Sequence, residues 1–343
     1  MNNAFTKIFS IFVLFTLLCC SGQSSDSFEM PIEGKLVFVE AIRGDGWLTA
    51  NPFGELVIID GITKKRQVLT WDGYYYAHPN LTADGTSLIF ESKRTGNIAI
   101  SGLSSESDIY QMDIESKEIK SLSEEFLKLT GKHIGDRFFH PSLSPSGDKL
   151  LFSRLLNWEY HLSYFSFEEN KLIDITKDDN FRPLTRIPAQ WSKDESHIIM
   201  TVLRNFDFYV VLVSVTGDTL QIISNNLLEE RSSGEFMACI SGSWIDSIRF
   251  LYMCSRTDLN YSVIYEYNIN ESKSKKLKKI YDEDIDFTIY EIIAKNDSEN
   301  IIIIGGMEGL NYSNVYMMNL KSSELVKITD SETEKRWLRW YSD

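Results

Sequence analysis

The segment His140–Arg154, HPSLSPSGDKLLFSR, restates the segment His78–Arg94, HPNLTADGTSLIFESKR, 62 residues earlier. The apolar strand that closes this phrase recurs six times: KLVFVEA from Lys35, SLIFESK from Ser87, KLLFSRL from Lys149, HIIMTVL from His197, RFLYMCS from Arg249 and NIIIIGG from Asn300. A second element follows each copy, beginning at Glu55, Asp108, His161, Tyr209, Ser262 and Asn314, so the period is 48–53 residues. It consists of two short apolar runs around a polar turn, which is the pattern of a β-hairpin. Six copies at a near-constant period specify a repeat architecture, because each unit is too small to bury its own apolar faces.

A third element precedes five of the copies: YYYAHPNLT, RFFHPSLS, RIPAQWS, MACISGSW and FTIYEIIA. Four strands per repeat make a propeller blade. The copy at Lys35 has no such element before it, whereas the chain ends on an unused one, KRWLRWYSD, whose Trp340 falls in register with Trp191 and Trp244. An unpaired edge at the seam would be a liability, so the expectation is an all-β, six-bladed β-propeller with four-stranded blades, closed by the C-terminal strand completing the first blade. No long run has a 3.6-residue apolar period, and helices should be minor.

The repeats also carry a resemblance. A strand, a Pro-x-x-Ser-Pro-Asp-Gly turn, an apolar strand, then Ile-Tyr-x-Met-Asp and Leu-Thr is similar to the WD40-like (PD40) repeat of TolB-like propellers. It stands here as HPNLTADGTSLIF, DIYQMDI and KSLS in one blade and as HPSLSPSGDKLLF in the next; it is degenerate in PAQWSKDESHIIM and nearly lost in the last two blades. The resemblance spans about residues 31–343. It implies the fold and says little of function. The separate N-terminal domain of TolB has no counterpart in this sequence.

The N-terminus reads as an export signal. Lys7 precedes an apolar run from Ile8 to Leu18, too short to span a bilayer but suited to a secretory core region. Leu17-Leu18-Cys19-Cys20 resembles a bacterial lipobox, which implies lipidation of Cys20; Cys19 departs from the small residue usual at its position, and an ordinary cleaved signal is the alternative. Residues 1–20 are thus expected to be a lipoprotein signal peptide, 21–30 a polar tether and 31–343 the propeller. The expected location is the periplasmic or cell-surface face of the outer membrane, with the lipid as the sole membrane contact. The net charge of −14 argues against a nucleic-acid partner, which needs a clustered basic surface.

Turns alternate between the two faces of such a disc. The tight ones (ADG, PSG, KDE) share a face, and the long connections, including EEFLKLTGKHIGD and RNFDF, share the other. Binding residues are expected on the long loops and at the channel mouth. His78 and His140 occupy equivalent channel-facing places; a His before Pro in this repeat reads first as a hydrogen-bonding structural residue, and second as the seed of a metal site. Arg94, Arg204 and Arg256 each fall four residues after a large apolar residue and could ring an anion, although pairing with nearby acids explains them more simply. Trp158 and Phe206, with Trp47, Tyr160 and Phe208, could stack on a sugar or peptide. Cys239 and Cys254 flank the turn SGSWIDS, and an antiparallel register would oppose them for a disulfide; two buried free thiols are the reading preferred.

No Gly-x-Ser-x-Gly elbow, phosphate-binding loop or His-Glu-x-x-His helix is present, and no catalytic residue, cofactor or metal is assigned. The sequence therefore points to a protein- or peptide-binding or scaffolding module of the cell envelope. The alternative is a carbohydrate-active or carbohydrate-binding propeller resembling oligogalacturonate lyase, with a metal near the channel mouth.

Overall fold

A computed structural model describes residues 33–41, 54–94, 107–130, 137–156, 159–175, 182–183, 187–204, 207–217, 220–224, 237–256, 261–281, 288–295, 299–306, 313–330 and 333–341. Each repeat forms an antiparallel four-stranded unit. The first holds β1 (Lys35–Ala41), β2 (Gly54–Asp60) and β3 (Arg66–Val68); the second β4 (Tyr76–Leu81), β5 (Ser87–Ser92), β6 (Asp108–Asp113) and β7 (Ile119–Ser121). The third holds β8 (Arg137–Leu143), β9 (Lys149–Leu156), β10 (Glu159–Ser166) and β11 (Lys171–Asp174). In the fourth the inner strand is split into β12 (Arg182–Pro183) and β13 (Gln190–Trp191), followed by β14 (His197–Arg204), β15 (Asp207–Ser214) and β16 (Leu220–Ile222). The fifth contains β17 (Met237–Trp244), β18 (Arg249–Arg256), β19 (Tyr261–Asn268) and β20 (Lys273–Tyr281). The sixth contains β21 (Thr288–Ala294), β22 (Asn300–Gly306), β23 (Asn314–Asn319) and β24 (Leu325–Lys327). The last strand, β25 (Glu334–Tyr341), pairs with β1 and completes the first blade. The innermost strands β25, β4, β8, β13, β17 and β21 contact one another in a closed ring, β21 returning to β25.

Why the second strands are continuous apolar runs is clear from the packing. Every blade is covered on both faces, so alternate residues of one strand serve two different cores. Leu36 and Phe38 pack with Ile302 and Ile304 of the sixth blade, whereas Val37 and Val39 pack with Leu88 and Phe90 of the second. The six core clusters correspond one to one with the six interfaces between blades.

Local polar chemistry sets the strand ends. In four blades a hydroxyl 14 residues on accepts the amide of a residue in the third strand: Thr70 from Leu56, Ser123 from Ile109, Ser224 from Val210 and Thr329 from Val315. That is the work of the repeated Leu-Thr phrase. The tight turns after the inner strands need a left-handed residue, met by Gly85 and Gly147 but by Glu195 (φ 58°) in the fourth blade. Glu195 is held there by Lys149 Nζ at 2.5 Å and the Ser146 amide at 2.8 Å, both in the third blade. Burial pushes its carboxyl up, but these partners outweigh burial and bring it down to about 2.

Helices are minor, as expected, and one other expectation is corrected. The connection after β7 begins as a helix, α1 (Leu122–Thr130), with Ser121 Oγ accepting the Glu124 amide and Phe126 packed among Phe138, Phe152 and Phe165. Cys239 and Cys254 are directly opposed on β17 and β18 and form a disulfide rather than two free thiols.

Candidate functional site

The register fixes equivalent positions in the six inner strands. Leu81, Leu143, Trp191, Trp244, Ala294 and Trp340 each pair with the second residue of the following apolar strand, or for Trp340 with Leu36. Three residues earlier stand His78, His140, Pro188, Ser241, Glu291 and Trp337; one residue earlier stand Asn80, Ser142, Gln190, Ser243, Ile293 and Arg339. These two tiers form the channel wall. At His78, His140 and Trp337 the backbone is left-handed (φ 50°, 53° and 53°), and each inner strand carries a register shift there.

Hydrogen bonds run around the upper tier from blade to blade. Asn80 Nδ2 donates to Pro141 O (2.9 Å) and Asn80 Oδ1 accepts from the Leu143 amide (3.3 Å). Trp191 Nε1 donates to Ser142 O (3.1 Å), Gln190 Nε2 to Gly242 O (2.6 Å) and Trp244 Nε1 to Gln190 O (3.1 Å). The Leu81 amide donates to Tyr341 Oη (2.9 Å), which links the seam blade to the second. Burial pushes the Tyr341 phenol up to about 12, against the pull of Arg339 and of the Leu81 amide. Glu291 accepts the amides of Trp337 (2.7 Å) and Leu338 (3.1 Å); burial raises its carboxyl, opposed first by Arg339.

Above this ring the wall opens into a cavity of about 210 Å³, lined by Asn80, Ser142, Gln190, Trp191, Arg339 and Tyr341 and rimmed by the turn residues Ala83 and Pro145. It therefore lies on the tight-turn side, whereas the long connections expected to carry function fall largely outside the described residues. Among the described residues, Arg339 is the one cation that lines the cavity. Nη1 donates to Leu338 O (2.9 Å), and Nη2 has no hydrogen-bond partner. Nη2 is itself buried, so what the guanidinium offers the cavity is its positive charge, which suits a carboxylate or another anionic oxygen.

Below, the lower tier is closed by rings. The His78 imidazole lies edge-on to His140 (5.0 Å between centroids) and 5.1 Å from Trp337. Glu91, on β5, reaches into this layer: its Oε2 accepts the His140 amide at 3.0 Å and lies 4.0 Å from His78 Nε2. The three side chains bring one ligand-type atom each within 4.8 Å of the others, all buried. His140 Nδ1 is 3.3 Å from Ser153 Oγ. His78 is not the hydrogen-bonded structural residue expected: Nδ1 is buried without a partner, and Nε2 is too far from Glu91 to bond. Such an orphaned group costs about 1–3 kcal/mol. Burial first, then the charges of His140 and Arg339, hold the imidazole well below its ordinary pKa.

The remaining candidates separate. Arg94 faces no channel: Nη2 binds Asp72 Oδ2 at 2.5 Å, Nη1 donates to Tyr76 Oη at 2.7 Å, and the group lies over the Tyr74 ring. The simpler acid-pairing explanation holds for it. The side chains of Arg204 and Arg256, together with Trp158, Phe206 and Cys20, lie outside the described residues. Glu91, Gln190, Trp337 and Arg339 were missed from sequence. The signal that marks the last three is their fixed offset from the register residue of each inner strand.

No family model and no curated protein matches the sequence. Solved structures do match in shape. TolB from Acinetobacter baumannii is 14% identical, with 90% of this chain and 67% of that one covered at a TM-score of 0.61. Oligogalacturonate lyase from Vibrio parahaemolyticus is 13% identical, with 89% and 85% covered at 0.54. A chain of the nidogen–laminin complex is 8% identical, with 89% and 97% covered at 0.54. Six blades, four-stranded units and closure by the last strand, together with these neighbours, establish a TolB-like β-propeller fold.

Proposed function

We propose that this chain is an exported, lipid-anchored propeller of the cell envelope that binds a protein or peptide partner at the tight-turn mouth of its channel. The observation that carries the reading is the cavity floored by Arg339. Its wall of side-chain amides, a phenol and an indole suits an extended peptide segment ending in, or containing, a carboxylate. The sequence supports export through the apolar run Ile8–Leu18 and the anchor through Cys20. A second reading, a propeller that binds or acts on acidic carbohydrate, rests on the same guanidinium, which fits a sugar carboxylate equally well.

The test places a photo-crosslinking residue at Ala83 on the cavity rim and, as a control, at the exposed Ile62 in an outer turn. Capture of defined envelope proteins from Ala83 but not Ile62, lost on Arg339→Ala, is the expected result. No rim-specific capture, with a thermal shift produced by oligogalacturonate instead, would transfer the site to the carbohydrate reading.

A further inference from the structure

His78, His140 and Glu91 carry more chemistry than their structural posts require. The left-handed bulge that holds both histidines is filled in the seam blade by Trp337, so the backbone does not ask for imidazole. Glu91 sits three residues beyond the register partner Leu88, the place that Thr201 takes beyond Ile198. Thr201 Oγ1 accepts the inner-strand amide of the next blade, Ser241, at 2.8 Å, just as Glu91 accepts that of His140. A hydroxyl is enough for that task. A buried carboxylate beside two buried imidazoles needs another explanation.

We propose that His78, His140 and Glu91 form a binding site for one divalent transition-metal ion of the zinc class, joining the second and third blades. Two imidazole nitrogens and one carboxylate oxygen suit zinc and its first-row neighbours; magnesium and calcium prefer all-oxygen shells. Zinc ligands lie about 3.4 Å from one another when each bond is about 2.1 Å. The three ligand atoms already lie within 4.8 Å of one another, and His78 Nε2 is 4.0 Å from Glu91 Oε2, so small side-chain rotations close the set. Ser153, 3.3 Å from His140 Nδ1, supplies the outer partner that orients a metal-binding imidazole. The Glu91 carboxylate offsets the repulsion of an ion by Arg339, whose charge reaches His78.

This inference does not depend on what occupies the mouth above. The full-length chain, purified in detergent, is unfolded, stripped with chelator and refolded with Zn²⁺ or Co²⁺; bound metal is then measured by mass spectrometry and by cobalt absorption bands. The expected result is one ion beyond that held by Glu91→Gln, with affinity in that variant reduced at least about tenfold, the loss typical even of an outer-shell change. Gln retains an oxygen for the His140 amide, so Glu91→Gln keeps its fold; circular dichroism verifies this. Equal metal content and affinity in the parent chain and Glu91→Gln, or no bound metal in either, would overturn the site.

Discussion

Lys335 is the sharpest probe of ring closure. It lies on β25 with no exposed surface, directly across from Glu40 on β1, and its Nζ is 3.5 Å from Glu40 Oε1 and 2.9 Å from Thr333 Oγ1. Burial pushes the Glu40 carboxyl up, but Lys335, then Thr333 and Arg66, outweigh it and hold the group below its ordinary value. Lys335→Met keeps much of the side-chain volume and removes the charge. Removing one partner of a buried pair costs about 3–5 kcal/mol; since Arg66 and Thr333 still engage Glu40, the lower end, about 3 kcal/mol, is expected. At about 2 °C per kcal/mol for a chain of this size, the melting point falls by about 6 °C.

The sign with pH follows from the lowered pKa. Stability contributed by Glu40 is present above its unfolded pKa and is lost as pH falls through the folded one. The difference between the parent chain and Lys335→Met should therefore be largest at neutral pH and shrink in acid, where Glu40 takes up a proton. Adding Glu40→Gln to Lys335→Met should restore about 2 kcal/mol at neutral pH. Urea unfolding followed by Trp fluorescence at the two pH values measures all of this. An undiminished deficit in acid would refute the electrostatic account and assign the loss to packing alone.

Two further outcomes are expected. Burial first, with the charge of Asp72 adding and the Thr70 hydroxyl opposing, raises the Glu55 carboxyl to about 7, so its ionisation erodes stability as pH rises from about 4.5 to 7. Glu55→Gln should gain about 2 kcal/mol at about pH 8, after allowing for solvent screening, and nothing at about pH 4; equal stability of the two chains in alkali would show that Glu55 is not strained by its charge. Replacing both Cys239 and Cys254 by Ala, which opens a loop of 15 residues, should cost about 3 kcal/mol, read as a lower urea midpoint, and reduction of the parent chain should give the same loss.

Much of the architecture is legible in the sequence because a repeat states its register many times over. The offset of Trp340 to Trp191 and Trp244 fixed the seam, and all three pair as that offset requires. Other features needed the third dimension. Helix α1 carries a capping signature, Ser121 to Glu124, but is too short to show a lasting period. Glu91 looks like the polar end of an apolar strand; its meaning comes from His140 on a neighbouring blade, 49 residues away. Arg339 lies outside the offset shared by Arg94, Arg204 and Arg256, and its place in the cavity wall follows only from the pairing of the last strand with the first. Spacing alone does not decide the disulfide, because it places two cysteines opposite each other without showing that their side chains meet.

Pairing of Leu36 with Trp340 also imposes an order of events. The first strand to leave the ribosome waits for the last, so the ring cannot close on any partial chain, and until then β1 offers an open edge. Contacts of such separation are slow to form. If the chain is exported, as proposed above, that delay is useful: an incomplete propeller stays loose enough to be threaded, and release of the final strand acts as the latch.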